Sequence, residues 1–383
     1  RYESSAASDV YKRQVEEDDD PQSARVLLVM DLETKKPIIL SGTADYARIV
    51  QFFWLNDDRI GFYKQPTRGL DAYDLWAIDI DGKNLKKLVP GKWEDGYATG
   101  ARVSFLMDDD PDHVLVEYNK RRPKYTDIYK LNIYSGRLTT LAIDPVLGNN
   151  TLMGWAIDQQ GNVRGYMAMD GLKYKLYHRN NVDEDFALLR EFTYQEAMFM
   201  PQTYDYDPRY VYVVGQPVAK DGTILDNSDT DALWKYDAYE DEFVEKIYSH
   251  PKYDVGGIGI SDKSKKPVVI GYQGEKYERV WLDKDMENLH KSMEMTFPND
   301  EVGISMDREE TMAIVSVYSD TNPGEYFLYD RSAGTLAPLG KTRPWMDKNK
   351  MSKMRPIEFV SRDGFKMSGY ITIPKNSSGK NLP

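Results

Sequence analysis

The stretch IYKLNIYSGRLTTL, residues 128–141, is an apolar, aromatic-rich run, a Ser-Gly turn, and a second short run that closes on Leu. Gly accepts a positive φ without a Cβ clash, so this pattern reads as strand, tight turn, strand. The same design returns along the chain as LLVMDLETKKPIIL (27–40), LWAIDIDGKNLKKL (75–88), KLYHRNNVDEDFALL (175–189), LWKYDAYEDEFVEKI (233–247), RVWLDKDMENL (279–289) and YFLYDRSAGTLAPL (326–339). The closing residues Leu40, Leu88, Leu141, Leu189, Ile247, Leu289 and Leu339 recur at intervals of about fifty, near the period of propeller blades.

Upstream of these units lie segments such as VQFFWLNDDRIGFYKQ (50–65), VSFLMDDDPDHVLVEYN (103–119) and VGISMDREETMAIVSVYS (302–319). Each reads as strand, Asp/Asn-rich turn, strand, because Asp and Asn side chains bond nearby backbone amides and tolerate left-handed conformations. Two such halves give four strands per unit, the content of a blade whose sheets pack radially and bury both faces. The expectation is an all-β propeller over residues 15–340, with six full four-stranded blades and the last two strands of a first, incomplete one, about seven in all. A β-sandwich array or a β-helix fits the uniform four-strand unit less well. Trp54, Trp76, Trp155, Trp234 and Trp281 fall inside these strands and are assigned to packing between blades rather than to a stacking platform for a ligand.

Composition narrows the function. The chain has 383 residues, 50 Lys and Arg against 62 Asp and Glu, a net charge of −12 and no Cys. That balance disfavours nucleic acid as a partner, and the densest basic cluster, Lys120-Arg121-Arg122-Pro123-Lys124, reads as a solvated loop. Without Cys there are no disulfides, zinc-thiolate sites or Cys nucleophile, which leaves both a periplasmic and a cytoplasmic setting open. No apolar stretch approaches the roughly 18 residues of a membrane span. The first residues, RYESSAASDVYKRQ, show no periodicity and no signal-peptide core. Asp9 to Gln14 matches one reading frame of a transposon-end adapter, so residues 1–14 are expected to be an artefact or a disordered tail, with the natural start and any targeting signal outside this sequence.

Residues with chemistry are few and scattered. Gly259-Ile260-Ser261 and Gly303-Ile304-Ser305 begin the Gly-x-Ser-x-Gly nucleophile motif, but Asp262-Lys263 and Met306-Asp307 follow, so neither completes it. His113, His178, His250 and His290 stand in separate units without metal-ligand spacing, and no metal or other cofactor is expected. Gly256-Gly257-Ile258-Gly259 lacks the following helix of a phosphate cradle. The acidic runs Glu16 to Asp20, Asp57-Asp58 and Asp108-Asp109-Asp110 read as solvated or turn-forming. Glu309-Glu310 is the one pair with a functional alternative, since adjacent acids hold an ammonium group, although its position in a turn favours a structural role.

The last forty residues change rhythm. Between Pro344 and Pro356, Trp345, Met346, Met351 and Met354 suggest a short amphipathic turn of helix. A hairpin follows, Ile357 to Val360 and Phe365 to Ile373 around Ser361-Arg362-Asp363-Gly364. This junction resembles that of the prolyl oligopeptidase family of serine peptidases, acylaminoacyl-peptidase and dipeptidyl-peptidase-like members included. There a propeller is followed by an α/β-hydrolase domain whose first strands carry a Ser-Arg-Asp-Gly turn and a Gly-Tyr-x-x-x-Pro strand, matched here by residues 361–364 and by Gly369-Tyr370-Ile371-Thr372-Ile373-Pro374. Asn381-Leu382-Pro383 looks like the approach to the next core strand. The resemblance implies that residues 341–383 are a linker and the start of a catalytic domain, and that the oxyanion hole, nucleophile elbow, Asp and His lie beyond Pro383. It also implies a propeller that admits short peptide substrates to the Ser, and a chain that is inactive alone. A scaffolding propeller and a metal-dependent propeller hydrolase of lactonase type are the rival readings.

Overall fold

The computed structural model describes residues 13–14, 25–32, 34, 36–42, 48–65, 71–145, 151–193, 198–377 and 379–380. Glu16 to Asp20 and Asn381 to Pro383 lie outside the described residues, as does residues 1–12 of the expected tail. Arg13–Gln14, assigned to that tail from the sequence, instead pairs antiparallel with Arg25 and Val26.

Seven antiparallel sheets follow one another, and within each the order in space is the order in sequence. The first comprises Arg13–Gln14, Arg25–Met30 and Pro37–Gly42. The second has Arg48–Asn56, Arg59–Gln65, Asp74–Asp79 and Lys86–Val89. The third has Ala101–Leu106, His113–Arg122, Tyr125–Asn132 and Leu138–Ala142. The fourth has Thr151–Ile157, Val163–Asp170, Lys173–His178 and Ala187–Thr193. The fifth has Phe199–Tyr204, Tyr210–Gly215, Ala232–Asp237 and Glu242–Tyr248. Val255–Ile260, Pro267–Gln273 and Tyr277–Trp281 form the sixth. The seventh has Glu301–Met306, Met312–Ser319, Asn322–Asp330 and Thr335–Lys341.

Successive sheets stack face to face, and an apolar cluster fills each gap from the first sheet to the sixth. Leu27 and Leu40 meet Ile49, Ile60 and Phe62 between the first two sheets. Leu75 and Leu88 meet Val114 and Leu131 in the next gap, and Leu115 and Ile128 meet Val163 in the one after. Leu176 and Phe192 then pack on Phe199 and Tyr236, and Tyr212 and Leu233 on Val255 and Ile270. A second strand such as Tyr210–Gly215 is therefore buried at five of its six positions, where a sheet with one wet face would alternate. Each fully buried Leu, Ile or Phe contributes about 1.5–3 kcal/mol relative to exposure.

The Asp-rich turns close as their residue types require. Asp158 Oδ1 accepts from the Gln160 and Asn162 amides at 3.0 and 2.8 Å. Asp307 Oδ1 likewise accepts from Thr311 and Met312 at 2.7 and 3.0 Å.

The repeat departs from expectation in three places. Among the described residues five sheets have four strands, because the sixth ends in a helix, Lys284–Thr296, where the sequence repeat suggested a strand closing on Leu289. Asp283 caps this helix, its carboxylate 2.9 Å from the Met286 amide. Met286, Leu289 and Met293 fall on one side and cover Val302, Val315 and Val317 of the seventh sheet. Second, a small hairpin, Lys92–Glu94 with Tyr97–Thr99, is inserted between the second and third sheets. Third, the linker after Pro344 holds a single 3₁₀ turn, Lys348–Lys350, with no buried residue. Met354 already belongs to a strand, since Arg355 precedes Pro356 and is biased away from helix.

The closing hairpin is present as read. Met354–Val360 pairs with Lys366–Thr372, Phe359 facing Met367 and Ile357 facing Gly369. Gly364 adopts φ 89° in its turn, a conformation that a Cβ would strain. Among the described residues no helix is long and apolar enough to cross a membrane.

Candidate functional site

Up-and-down strands send the turns after the first and third strand of the second to seventh sheets to one face of the ring, and the turns after the second strand to the other. The first-strand turns converge. Asp108, in the third sheet, has Oδ2 2.6 Å from Lys265 Nζ of the sixth and Oδ1 3.1 Å from Arg308 of the seventh. Gln159 of the fourth sheet adds a bond to the Lys265 carbonyl at 3.3 Å. Sheets that are not neighbours in the ring are thus tied together at its centre, and side chains cross the axis on this face.

Above that closure, the first strands of the third, fourth and fifth sheets line a cavity of about 290 Å³. Its wall carries Ser104, Trp155, Gln202 and Thr203, and among the described residues its charged members are Arg102 and Glu117. These two are cross-strand partners, with Arg102 Nη2 2.7 Å from both Glu117 carboxylate oxygens. A wider cleft of about 550 Å³ continues from the same pair towards Gln51, Asp71 and Tyr73, and Thr99 of the inserted hairpin borders it.

The terminal hairpin sits at the opposite face from the crossed turns. Tyr370 donates its hydroxyl to the Glu275 carbonyl, in the connection between the second and third strands of the sixth sheet. The Met354 amide bonds Asp320, in the corresponding connection of the seventh. Phe365 remains 70 % exposed, and Ile357, Phe359, Val360, Met367, Tyr370 and Ile371 are exposed as well.

The residues singled out in the sequence are dispersed. Ser261 is buried in a turn, where its hydroxyl donates to Glu310 Oε1 at 2.5 Å and accepts from the Ser264 amide at 3.0 Å. Glu310 has φ 56° and faces Arg331 at 3.8 Å, so its carboxylate is already engaged, while the Glu309 carbonyl accepts from Lys263. Ser305 is exposed on the innermost strand of the seventh sheet. Gly256, Gly257 and Gly259 belong to a strand. Arg121, assigned to a solvated loop, is instead bonded to Asp127 and to the Asp144 carbonyl.

The four histidines have unrelated surroundings. His113 pairs with Asp110, His250 packs against both Tyr253 and Tyr272, and His290 reaches the Val302 carbonyl. His178 is buried against the Tyr204 hydroxyl, and desolvation, helped by Arg164, pulls its pKa down to about 4. Neither the Asp108 cluster nor the Arg102–Glu117 pair was singled out from the sequence. The first joins residues up to 200 positions apart by side chains alone, and the second is one Arg among many until the strand register is fixed.

No family model matches the chain. Among known proteins it is 24% identical over 347 residues to dipeptidyl aminopeptidase BIII of Pseudoxanthomonas mexicana, covering 88% of this chain and 47% of that protein. It is 22% identical over 271 residues to dipeptidyl peptidase family member 6 of Caenorhabditis elegans, covering 68% of this chain and 35% of that one. Among solved structures, a prolyl endopeptidase superposes with a TM-score of 0.62 at 14% identity, over 93% of this chain and 52% of the other. A post-proline cleaving enzyme from Rickettsia typhi gives 0.52 at 11% identity, over 92% and 57%. The chain spans about half the length, or less, of the curated relatives it matches. The likeness in sequence to dipeptidyl peptidases and the likeness in fold to prolyl oligopeptidases cover the same body of sheets, and the chain resembles the propeller portion of a prolyl oligopeptidase family peptidase.

Proposed function

We propose that this chain is the substrate-gating propeller portion of a serine peptidase that acts on short peptides, with its catalytic residues beyond Pro383. The observation that carries the reading is the hairpin Met354–Thr372, which stands on the face opposite the crossed turns with its apolar side chains uncovered. A two-stranded hairpin is marginal in water unless something packs on it. A further domain seated there faces the open end of the ring, while Asp108, Lys265 and Arg308 obstruct the other end. Only ligands narrow enough for the central cavity then reach the ring interior, which is a filter by size. The domain limits follow: sheets to about residue 340, then a linker and the first hairpin of a hydrolase domain from 341 to 383.

The experiment is to compare turnover of peptides of increasing length with turnover of a folded protein carrying the same cleavable sequence, using the longer protein that continues past Pro383. Short peptides are expected to be cleaved and the folded protein spared. Equal cleavage of both contradicts gating. A central-metal hydrolase has less support, since among the described residues no group of three or more His, Cys, Asp or Glu is placed to hold an ion.

A further inference from the structure

Arg102 stands where the axial cavity and the outer cleft meet, and lines both. Its side chain is 70 % exposed, yet it is not loose, because the register that sets Arg102 opposite Glu117 fixes one nitrogen, Nη2, between the two carboxylate oxygens. Glu117 itself is only 14 % exposed. Nε and Nη1 of Arg102 have no acceptor among the described residues. A guanidinium held at a cavity wall by one carboxylate, with further donors unspent, is arranged to take a second planar anion. Little side-chain entropy remains to be lost on binding.

The rest of the axial wall suits a peptide end. Ser104, Gln202 and Thr203 supply polar groups, and Trp155 is held by its indole N–H, which donates to the Thr126 carbonyl at 2.8 Å. A cavity of about 290 Å³ holds one or two residues and no more. We propose that Arg102 is a carboxylate-binding residue that captures the C-terminus of a short peptide in the axial cavity. This rests on the peptide reading above and adds which end of the peptide enters. Glu117 acts as a positioning residue. It orients the guanidinium and, as a neighbouring negative charge, weakens the capture it makes possible.

The test is calorimetric titration of the full 383-residue chain with acetyl-trialanine, as the free acid and as the C-terminal amide, and with acetyl-Ala-Glu-Ala-amide. The free acid is expected to bind at least tenfold more tightly than the amide, about 1.4 kcal/mol. Arg102→Met should remove that preference in a chain that stays folded but melts somewhat lower, because Glu117 loses its partner, and Arg102→Lys should keep part of it. Glu117→Gln should tighten binding of the acid alone, which a purely structural pair would not do. If acid and amide bind equally, or Arg102→Met keeps the preference, the Arg102 assignment is overturned while peptide binding stands. If the Glu-containing amide matches the free acid, the carboxylate site stands and the C-terminal assignment falls. If no peptide binds, this assignment is overturned, while the filter by size, which needs no affinity, is decided by the turnover comparison above.

Discussion

Lys265 Nζ lies 2.6 Å from Asp108 Oδ2, although 157 residues separate the two in the chain. The contact spans sheets three apart in the ring, and Arg308 joins it from the neighbouring sheet. All three side chains are partly solvated, between 27 and 46 % exposed, so the Coulomb gain is small and screened. Asp108→Asn should therefore lower stability by about 0.5–1 kcal/mol, with an effect that shrinks in high salt. A double-mutant cycle with Lys265→Met, followed by denaturant melts, measures the coupling. Strict additivity of the two changes would mean that the pair is not formed in solution.

His178 is one buried group through which mild acid reaches the core. Its folded pKa, about 4, lies below the ordinary 6.5, because burial disfavours the imidazolium and the ring sits near Arg164. The unfolded chain therefore takes up this proton first, and the stability His178 contributes above pH 6.5 is lost as pH falls through that window towards 4. The full loss is roughly 3 kcal/mol. His178→Phe should flatten the pH dependence of the melting temperature between those values, while lowering it at every pH because the Tyr204 hydroxyl loses its bond to Nδ1. An identical slope in the variant would contradict the burial argument.

The helix after the sixth sheet depends on one cap. Asp283→Ala removes the acceptor for the Met286 amide and should cost about 1 kcal/mol. Asp283→Asn should recover most of it. Thermal melts of the two variants decide this, and equal melting points for Ala and Asn would show that the cap is idle.

Most of the ring was legible because its repeat is carried by neighbours in sequence. Leu40, Leu88, Leu141, Leu189, Ile247 and Leu339 all fall in the last strand of their sheets, where the pattern placed them. Leu289 broke the series although it fits the same apolar spacing. Met286, Leu289 and Met293 recur at three and four, the helical period, and a preceding Asp is a cap signal, so that departure was readable too. The inserted hairpin carried its own mark in Asp95-Gly96, both at positive φ, which the repeat overshadowed. The axial pairs left no such trace. Asp108 looked like one more turn acid, and nothing local to it tells that Lys265 and Arg308 arrive from the far side of the ring.

The terminal hairpin should be the first segment to yield to protease. It touches the sheets through few bonds, among them Tyr370 to the Glu275 carbonyl and Met354 to Asp320, and most of its side chains are exposed. Limited trypsin digestion should cut between Lys341 and Lys380 and leave a resistant core. Deleting residues 345–383 should move the melting temperature by no more than about 1–3 °C, the effect of roughly 1 kcal/mol in a large domain. A protected hairpin, or a ring that unfolds without it, would make the segment part of the propeller's own closure.

The most direct test of the peptidase reading is hydrolysis of aminoacyl and acyl-peptide chromogenic substrates by two proteins side by side: the 383-residue chain and the proposed longer protein with a hydrolase domain after Pro383. No turnover is expected of the chain alone, and the longer protein should show turnover that a serine-directed phosphonate abolishes. Phosphonate-sensitive turnover by the 383-residue chain itself, or a longer protein that hydrolyses none of these peptides, would contradict that reading.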